Sequence, residues 1–304
     1  MTDRVAHTRE LIRIQMMLRK VFCGSLALAV IVSGRVRRAK KSILSSNLIT
    51  AIYFHNPNKR LFARCVRWLI KNGYTFISHH ELIKILHQGV EPPRGAVWLS
   101  FDDAFKELLE NVVPIARQLH VPVTIFVPSG IVDSDGLFPW LDSKVRDAIT
   151  VADVKEIAKY PEVSMGSHTV GHTVIVNLSD EEVHRELEKS KRMLEAWTGA
   201  PITAFAYPEG RSDGCETLLL TKSGYQLAAT SAPMFVTQGT NPYFVPRFHV
   251  GDNFPFPEAI CNMVGSWRPV IDPFIRIRQR CADVAGYFRR PLSRQYRARN
   301  ESSI

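Results

Sequence analysis

The stretch Ala96-Val97-Trp98-Leu99-Ser100-Phe101-Asp102-Asp103 ends an apolar run on two adjacent carboxylates. A second run, Val163-Ser164-Met165-Gly166, leads into Ser167-His168-Thr169-Val170-Gly171-His172, whose Ser167 lies 64 residues after Asp103. One carboxylate and two imidazoles are the ligand set of a catalytic zinc site that keeps an open position for water. The second carboxylate is then left over, and a hydrolase needs a base beside that water. Neighbours on an extended segment point to opposite faces, so the two carboxylates are suited to different tasks. Histidine ligands must be neutral and a carboxylate ligand ionised, so such a site loads near neutral pH and empties in acid. Alone, an Asp-Asp pair is an ordinary solvated loop or helix cap, and a His-x-x-x-His two surface histidines. The metal reading comes from finding both behind short apolar runs.

Around these motifs, β-type runs alternate with helical ones. Strands are predicted at Leu48–Phe54, Ala96–Phe101, Pro122–Val127, Glu162–Ser167, Thr203–Ala206, Gln226–Ala229 and Tyr243–Val250. Helices are predicted at Lys59–Lys71, Phe105–Leu119 with a kink at Pro114, Val151–Lys159, Ser179–Trp197 and Asp213–Lys222. Ser179-Asp180-Glu181-Glu182 has the pattern of a capping box. This alternation argues for an α/β fold, a parallel sheet with helices outside, and seven strands fit a barrel. His55, Asp102, Asp103, His168 and Tyr207–Gly210 each follow a predicted strand. That places them at the C-terminal face, where such barrels carry their sites.

The sequence resembles the polysaccharide deacetylases with a NodB homology domain, of the carbohydrate esterase family 4 type. Three ordered segments carry the resemblance: Ser100 to Ala104, Ser167 to His172, and Phe205-Ala206-Tyr207-Pro208-Glu209-Gly210. It spans roughly residues 48 to 265. It implies a distorted (β/α)7 barrel and a divalent metal, zinc first, held by Asp103, His168 and His172. Asp102 would be the general base. Ile52-Tyr53-Phe54-His55 stands where one branch of the family carries a Tyr-His segment, which gives His55 the role of general acid; His249 is the next candidate. Tyr207 and Glu209 would bind substrate, and the Glu209 N–H would meet the oxyanion.

Several positions depart from the family pattern. Ala104 replaces a glycine, so the backbone there is expected to avoid positive φ. Ala206 stands where an arginine usually steadies the base. Pro246-Arg247-Phe248 follows a later apolar stretch; Arg247 is either the substitute partner of Asp102 or an ordinary surface arginine. Glu209 is acidic where an aromatic or small residue is common. The family's Asp-Trp element has no counterpart.

The chain has 304 residues, 45% hydrophobic, and a net charge of +10, the composition of a globular protein. The charge is concentrated at the ends: residues 1–41 carry +8 and residues 267–304 carry +6, which leaves the middle at −4. Three segments follow: a basic and apolar N-terminal extension 1–41, a catalytic domain 42–266, and a basic C-terminal extension 267–304. Within the first, Val21–Gly34 is apolar between basic clusters. It reads either as a signal-peptide core or as a helix lying on a membrane or on the barrel. No nucleic-acid motif accompanies the basic ends, so their expected partner is an anionic membrane surface or an anionic polymer. A membrane or cell-envelope location fits, without fixing the compartment. Five cysteines without a Cys-x-x-Cys spacing indicate no disulfide framework.

With the resemblance, the chain reads as a metal-dependent hydrolase that removes N-acetyl groups from a sugar of a polysaccharide or glycolipid. Two other classes stand beside it. One is a deacetylase-like carbohydrate-binding protein without activity; the other is a membrane-docked interaction protein whose ends are the working part.

Overall fold

In the computed structural model, seven parallel strands run in the order β7-β6-β5-β4-β3-β1-β8. They are β1 (Thr50–Phe54), β3 (Ala96–Phe101), β4 (Val123–Val127), β5 (Val163–Ser167), β6 (Ala204–Ala206), β7 (Leu227–Ala229) and β8 (Phe248–His249), with a short β2 (Thr75–Phe76) beside β3. A parallel bridge between Ala229 and Val245 links the β7 edge to the chain entering β8. The result is a parallel half-barrel with helices outside, the α/β architecture expected from the sequence. The structure describes residues 2–273 except 142 and 215, with side chains from residue 14 onward except 177. Residues up to Ser266 form one compact unit, and a second begins at Trp267. Most of the basic C-terminal extension, residues 274–304, lies outside the described residues.

The helices are α1 (Thr2–Val32), α2 (Arg35–Leu44), α3 (Lys59–Lys71), α4 (His79–Gln88), α5 (Leu108–Asn111), α6 (Val113–Gln118), α7 (Ser129–Asp133), α8 (Val151–Ile157), α9 (Asp180–Thr198), α10 (Thr217–Lys222) and α11 (Phe256–Met263). Three begin with a reciprocal capping box: Ser78 with Glu81, Thr150 with Asp153, and Ser179 with Glu182. Each satisfies two otherwise orphaned backbone donors. The helix expected over Phe105–Leu119 is two short ones broken at Val112, with Pro114 near the start of the second. The break follows from the proline ring, which tolerates only the first turn of a helix. The last strand is two residues, not the eight of Tyr243–Val250, because the chain before it serves as a buried loop.

The strands of the half-barrel are buried on both faces, which explains their near-continuous apolar runs. Trp98, Phe126, Ala204, Ala206 and Leu227 pack inside with Ile49 and Val236. Gly166 on β5 is required there: a Cβ would stand 2.4 Å from the Phe126 ring and 3.0 Å from the Ala204 carbonyl. α1 lies along α11 through Cys23, Ala27 and Val30, all buried. Cys23, Cys65 and Cys261 are free buried thiols.

Candidate active site

The C-terminal ends of β1, β3, β5 and β6 converge on a pocket of about 520 Å³, lined by Tyr53, His55, Asp102, Asp103, His168 and His172 among others. Parallel strands end at one face, so residues far apart in sequence arrive together. Strand β3 delivers Asp102 and Asp103 as its next two residues. The chain then turns sharply, with φ of 73° at Asp103 and 56° at Ala104. The expectation that Ala104 avoids positive φ is therefore wrong. The turn is imposed by its surroundings, since the Ala104 carbonyl is fixed by the Ile149 N–H. An alanine accepts it at roughly 1–2 kcal/mol.

The histidine loop is tied by its threonine. Thr169 Oγ1 donates to the His168 carbonyl at 2.6 Å and accepts from the Thr173 N–H at 2.8 Å. This closes the loop around His172, which adopts φ of 58°. Val170 is held from outside: its N–H donates to Glu186 and its carbonyl accepts from Gly130. Ser167 Oγ donates to Ser190 on α9.

His168 Nε2 and His172 Nε2 lie 3.6 and 3.3 Å from Asp103 Oδ1. One ligand atom from each of the three residues falls within 4.8 Å of the others. His168 Nδ1 is 2.8 Å from the Ala206 carbonyl, which can only accept, so that nitrogen carries the proton and Nε2 carries a lone pair. Burial pulls the His168 imidazole down to about 4, against the pull of Asp102. Asp103 Oδ1 is buried without a hydrogen-bond partner. An orphaned carboxylate oxygen facing an imidazole lone pair is costly unless a cation sits between them. The donor set therefore fits a divalent ion.

Asp102 turns the other way. Arg247, itself 1% exposed, donates from NH1 to Oδ1 at 2.8 Å and from NH2 to Oδ2 at 2.9 Å. It also bonds Ser100 Oγ and the Thr230 carbonyl and lies over the Tyr53 ring. Burial raises the Asp102 carboxyl, but Arg247, then His168 and His55, outweigh it and hold the group below the usual range. Of the two readings for Arg247, the structure brings it onto Asp102, across β1 from the start of β8.

His55 lines the pocket after β1, its ring 5.6 Å from Tyr53 and 5.4 Å from His249. His249 lies behind it. Burial and then His55 lower the His249 imidazole to about 4, so it is neutral at neutral pH. Glu209 reaches the pocket from a one-turn 3-10 element with φ of 57°, and its carboxylate is exposed near Arg211. Gly210 takes φ of 66° against Ser231, where a Cβ would stand 2.0 Å from Oγ. Tyr207 is buried: its N–H bonds Ala229, its hydroxyl donates to the Tyr243 carbonyl, and its ring stacks on Phe244. Its side chain supports the Pro208–Gly210 turn rather than lining the pocket.

Sequence reasoning missed three residues here. Trp140, 44% exposed, packs 4.3 Å from the His172 ring and forms a wall of the pocket. Its only signal was the aromatic content of the long Pro128–Asp142 connection. Asp252 lines the pocket and accepts from the Asn56 N–H at 2.8 Å. Phe105 contributes a third wall.

Fold and site together define a hydrolase of the deacetylase class. Residues 89–228 match the polysaccharide deacetylase family model. It is similar to the poly-beta-1,6-N-acetyl-D-glucosamine N-deacetylase of Staphylococcus aureus, at 23% identity over 247 residues, covering 76% of this chain and 80% of that protein. Among solved structures it resembles the Streptococcus pyogenes deacetylase PplD in complex with acetate, at TM-score 0.62 and 22% identity, over 71% of this chain and 98% of the other. It also resembles IcaB from Ammonifex degensii, at TM-score 0.62 and 18% identity, over 73% and 98%.

Proposed function

We propose that this protein is a zinc-dependent N-deacetylase that removes acetyl groups from N-acetylglucosamine units of a polysaccharide. The observation that carries the reading is the orphaned Asp103 oxygen facing two histidine nitrogens, with a separately anchored carboxylate beside it. Asp103, His168 and His172 would hold the ion. When bound, it supplies Lewis-acid polarisation of the acetamide carbonyl and lowers the pKa of a water. Asp102, kept ionised and oriented by Arg247, takes the proton from that water. The water oxygen bonds to the acetamide carbon, and the Glu209 N–H donates toward the developing oxyanion. His55 gives a proton to the departing nitrogen, without which an amine is a very poor leaving group. The C–N bond breaks, leaving acetate and a free amino sugar. Tyr207 serves by anchoring the turn that presents Glu209, and Trp140 offers a face on which a sugar ring can stack.

The test is acetate release from poly-β-1,6-N-acetylglucosamine and from β-1,4-linked oligomers, before and after chelation and after zinc is returned. Release that zinc restores supports the reading. No release from any N-acetyl sugar by zinc-loaded protein sinks it.

A further inference from the structure

Between Glu10 and Glu81 the sequence contains no aspartate or glutamate, while residues 11–80 carry 13 lysines and arginines. This stretch supplies most of α1 and all of α2 and α3. α1 and α3 both pack on α11, so much of the stretch gathers on one flank of the barrel. Arg35, Arg37, Arg38 and Lys41 of α2, and Lys59, Arg60, Arg64, Arg67 and Lys71 of α3, are exposed. The one acid of α11, Glu258, is buried and paired with Arg19 at 2.9 Å.

α1 adds an apolar ridge to this flank. Cys23, Ala27 and Val30 face the barrel, with Arg19 on the same side. Ile14, Leu18, Val21, Leu28 and Val32 recur on the opposite side at helical spacing, 49–84% exposed. The inner contacts give the direction of the helix. Arg19 lies over the Phe254 ring, Gly24 lies against Pro255, and the Ala27 carbonyl meets Cys261. Phe254 packs in turn on His249. α1 therefore passes the catalytic end of the barrel at Arg19 and from there runs down its side. A helix clamped to the barrel along one face is not arranged to cross a bilayer, although Ile14–Val32 has the length and composition to do so.

We propose that this flank docks on an anionic lipid membrane. The outer ridge of α1 lies in the interface, the cations of α2 and α3 meet the headgroups, and the catalytic pocket is held beside the membrane surface. An apolar ridge flanked by cations, in a stretch without a carboxylate from residue 11 to residue 80, is the pattern of an interfacial helix on anionic lipid.

The test uses full-length protein and vesicles of phosphatidylcholine, with and without phosphatidylglycerol, with bound protein read by sedimentation at low and high salt. Binding should require the anionic lipid and weaken in salt without vanishing. Leu18→Gln, Val21→Gln and Leu28→Gln together should lower it by about tenfold or more at either salt. Arg60→Gln, Arg67→Gln and Lys71→Gln together should lower it at low salt alone. As an independent probe, the Val21→Trp variant should show a blue shift in emission on anionic vesicles that the parent lacks. Three outcomes would each overturn the proposal: equal binding to both vesicles, no added blue shift from the Val21→Trp variant, or an α1 ridge buried in a self-associated dimer that ignores lipid. None of these readouts depends on deacetylase activity.

Discussion

Arg247 and Asp102 meet as two parallel charge-assisted hydrogen bonds of 2.8 and 2.9 Å in a place closed to solvent. The pair joins the two sheet neighbours of β1, since Asp102 follows β3 and Arg247 precedes β8. A planar guanidinium fixes both carboxylate oxygens at once, which an ammonium cannot do.

Arg247→Lys should accordingly keep the fold and lose rate. Arg247→Met leaves a buried charge without a partner, a change that destabilises by roughly 3–5 kcal/mol. Arg247 lowers the Asp102 pKa, so its loss raises it, and a base must be ionised to act. The acid limb of the kcat/KM profile should then move to higher pH in both variants. An unmoved limb would show that Asp102 does not limit the acid side.

Metal content separates the two carboxylates. Asp103→Asn, His168→Ala and His172→Ala should each strip most of the ion after dialysis. Asp102→Asn should retain it while losing about 10²–10⁴ in acetate release. Elemental analysis of the purified variants checks this, and a metal-free Asp102→Asn protein would reverse the assignment.

His55 and His249 are neighbours with different prospects. His55 faces the pocket, whereas His249 is half-buried, does not line it, and has its imidazole lowered to about 4. His55→Ala should abolish the alkaline limb of the pH profile and His249→Gln should leave it in place. The opposite pattern would move the acid to His249.

Acid sensitivity should arise partly from His79, far from the pocket. It is buried, bonded to Ser164 Oγ at 2.9 Å, and lowered to about 3 by burial and then by His80. Between the ordinary value of 6.5 and about 3, the unfolded chain holds a proton that the folded one refuses. Stability therefore falls as pH drops through that window, with a slope approaching about 1.4 kcal/mol per pH unit from this one group. His79→Gln should flatten the dependence of Tm on pH across that window. A curve parallel to the parent would place the sensitivity elsewhere.

Much of the fold was legible because its signals are local. The predicted strand Ala96–Phe101 and helix Lys59–Lys71 match β3 and α3 residue for residue. α4 was missed although Ser78-x-x-Glu81 is the same cap that marked α9, because two histidines obscure its apolar spacing. Asp103, His168 and His172 could be grouped from their motifs. Trp140 could not, since a long loop carries it to the pocket and no sequence spacing records where a loop folds back; Asp252, three residues past β8, sits at a strand end but in no recognised motif. Arg247 was legible only as a vacancy: a base needs a steadying charge, and the usual position holds Ala206. Ala104 misled, because a preference for glycine is a bias of about a kilocalorie that a packed turn can override.

Among the described residues, five of the six non-glycine residues with positive φ, Asp103, Ala104, Thr169, His172 and Glu209, belong to the site. L-residues leave that region when nothing holds them, so these loops keep their shape only inside this barrel. The motifs that identify the protein are consequently poor candidates for grafting. Cut out as a short peptide, Ser167–His172 would relax toward right-handed backbone, its two imidazoles would drift apart, and its affinity for zinc would be that of any pair of histidines.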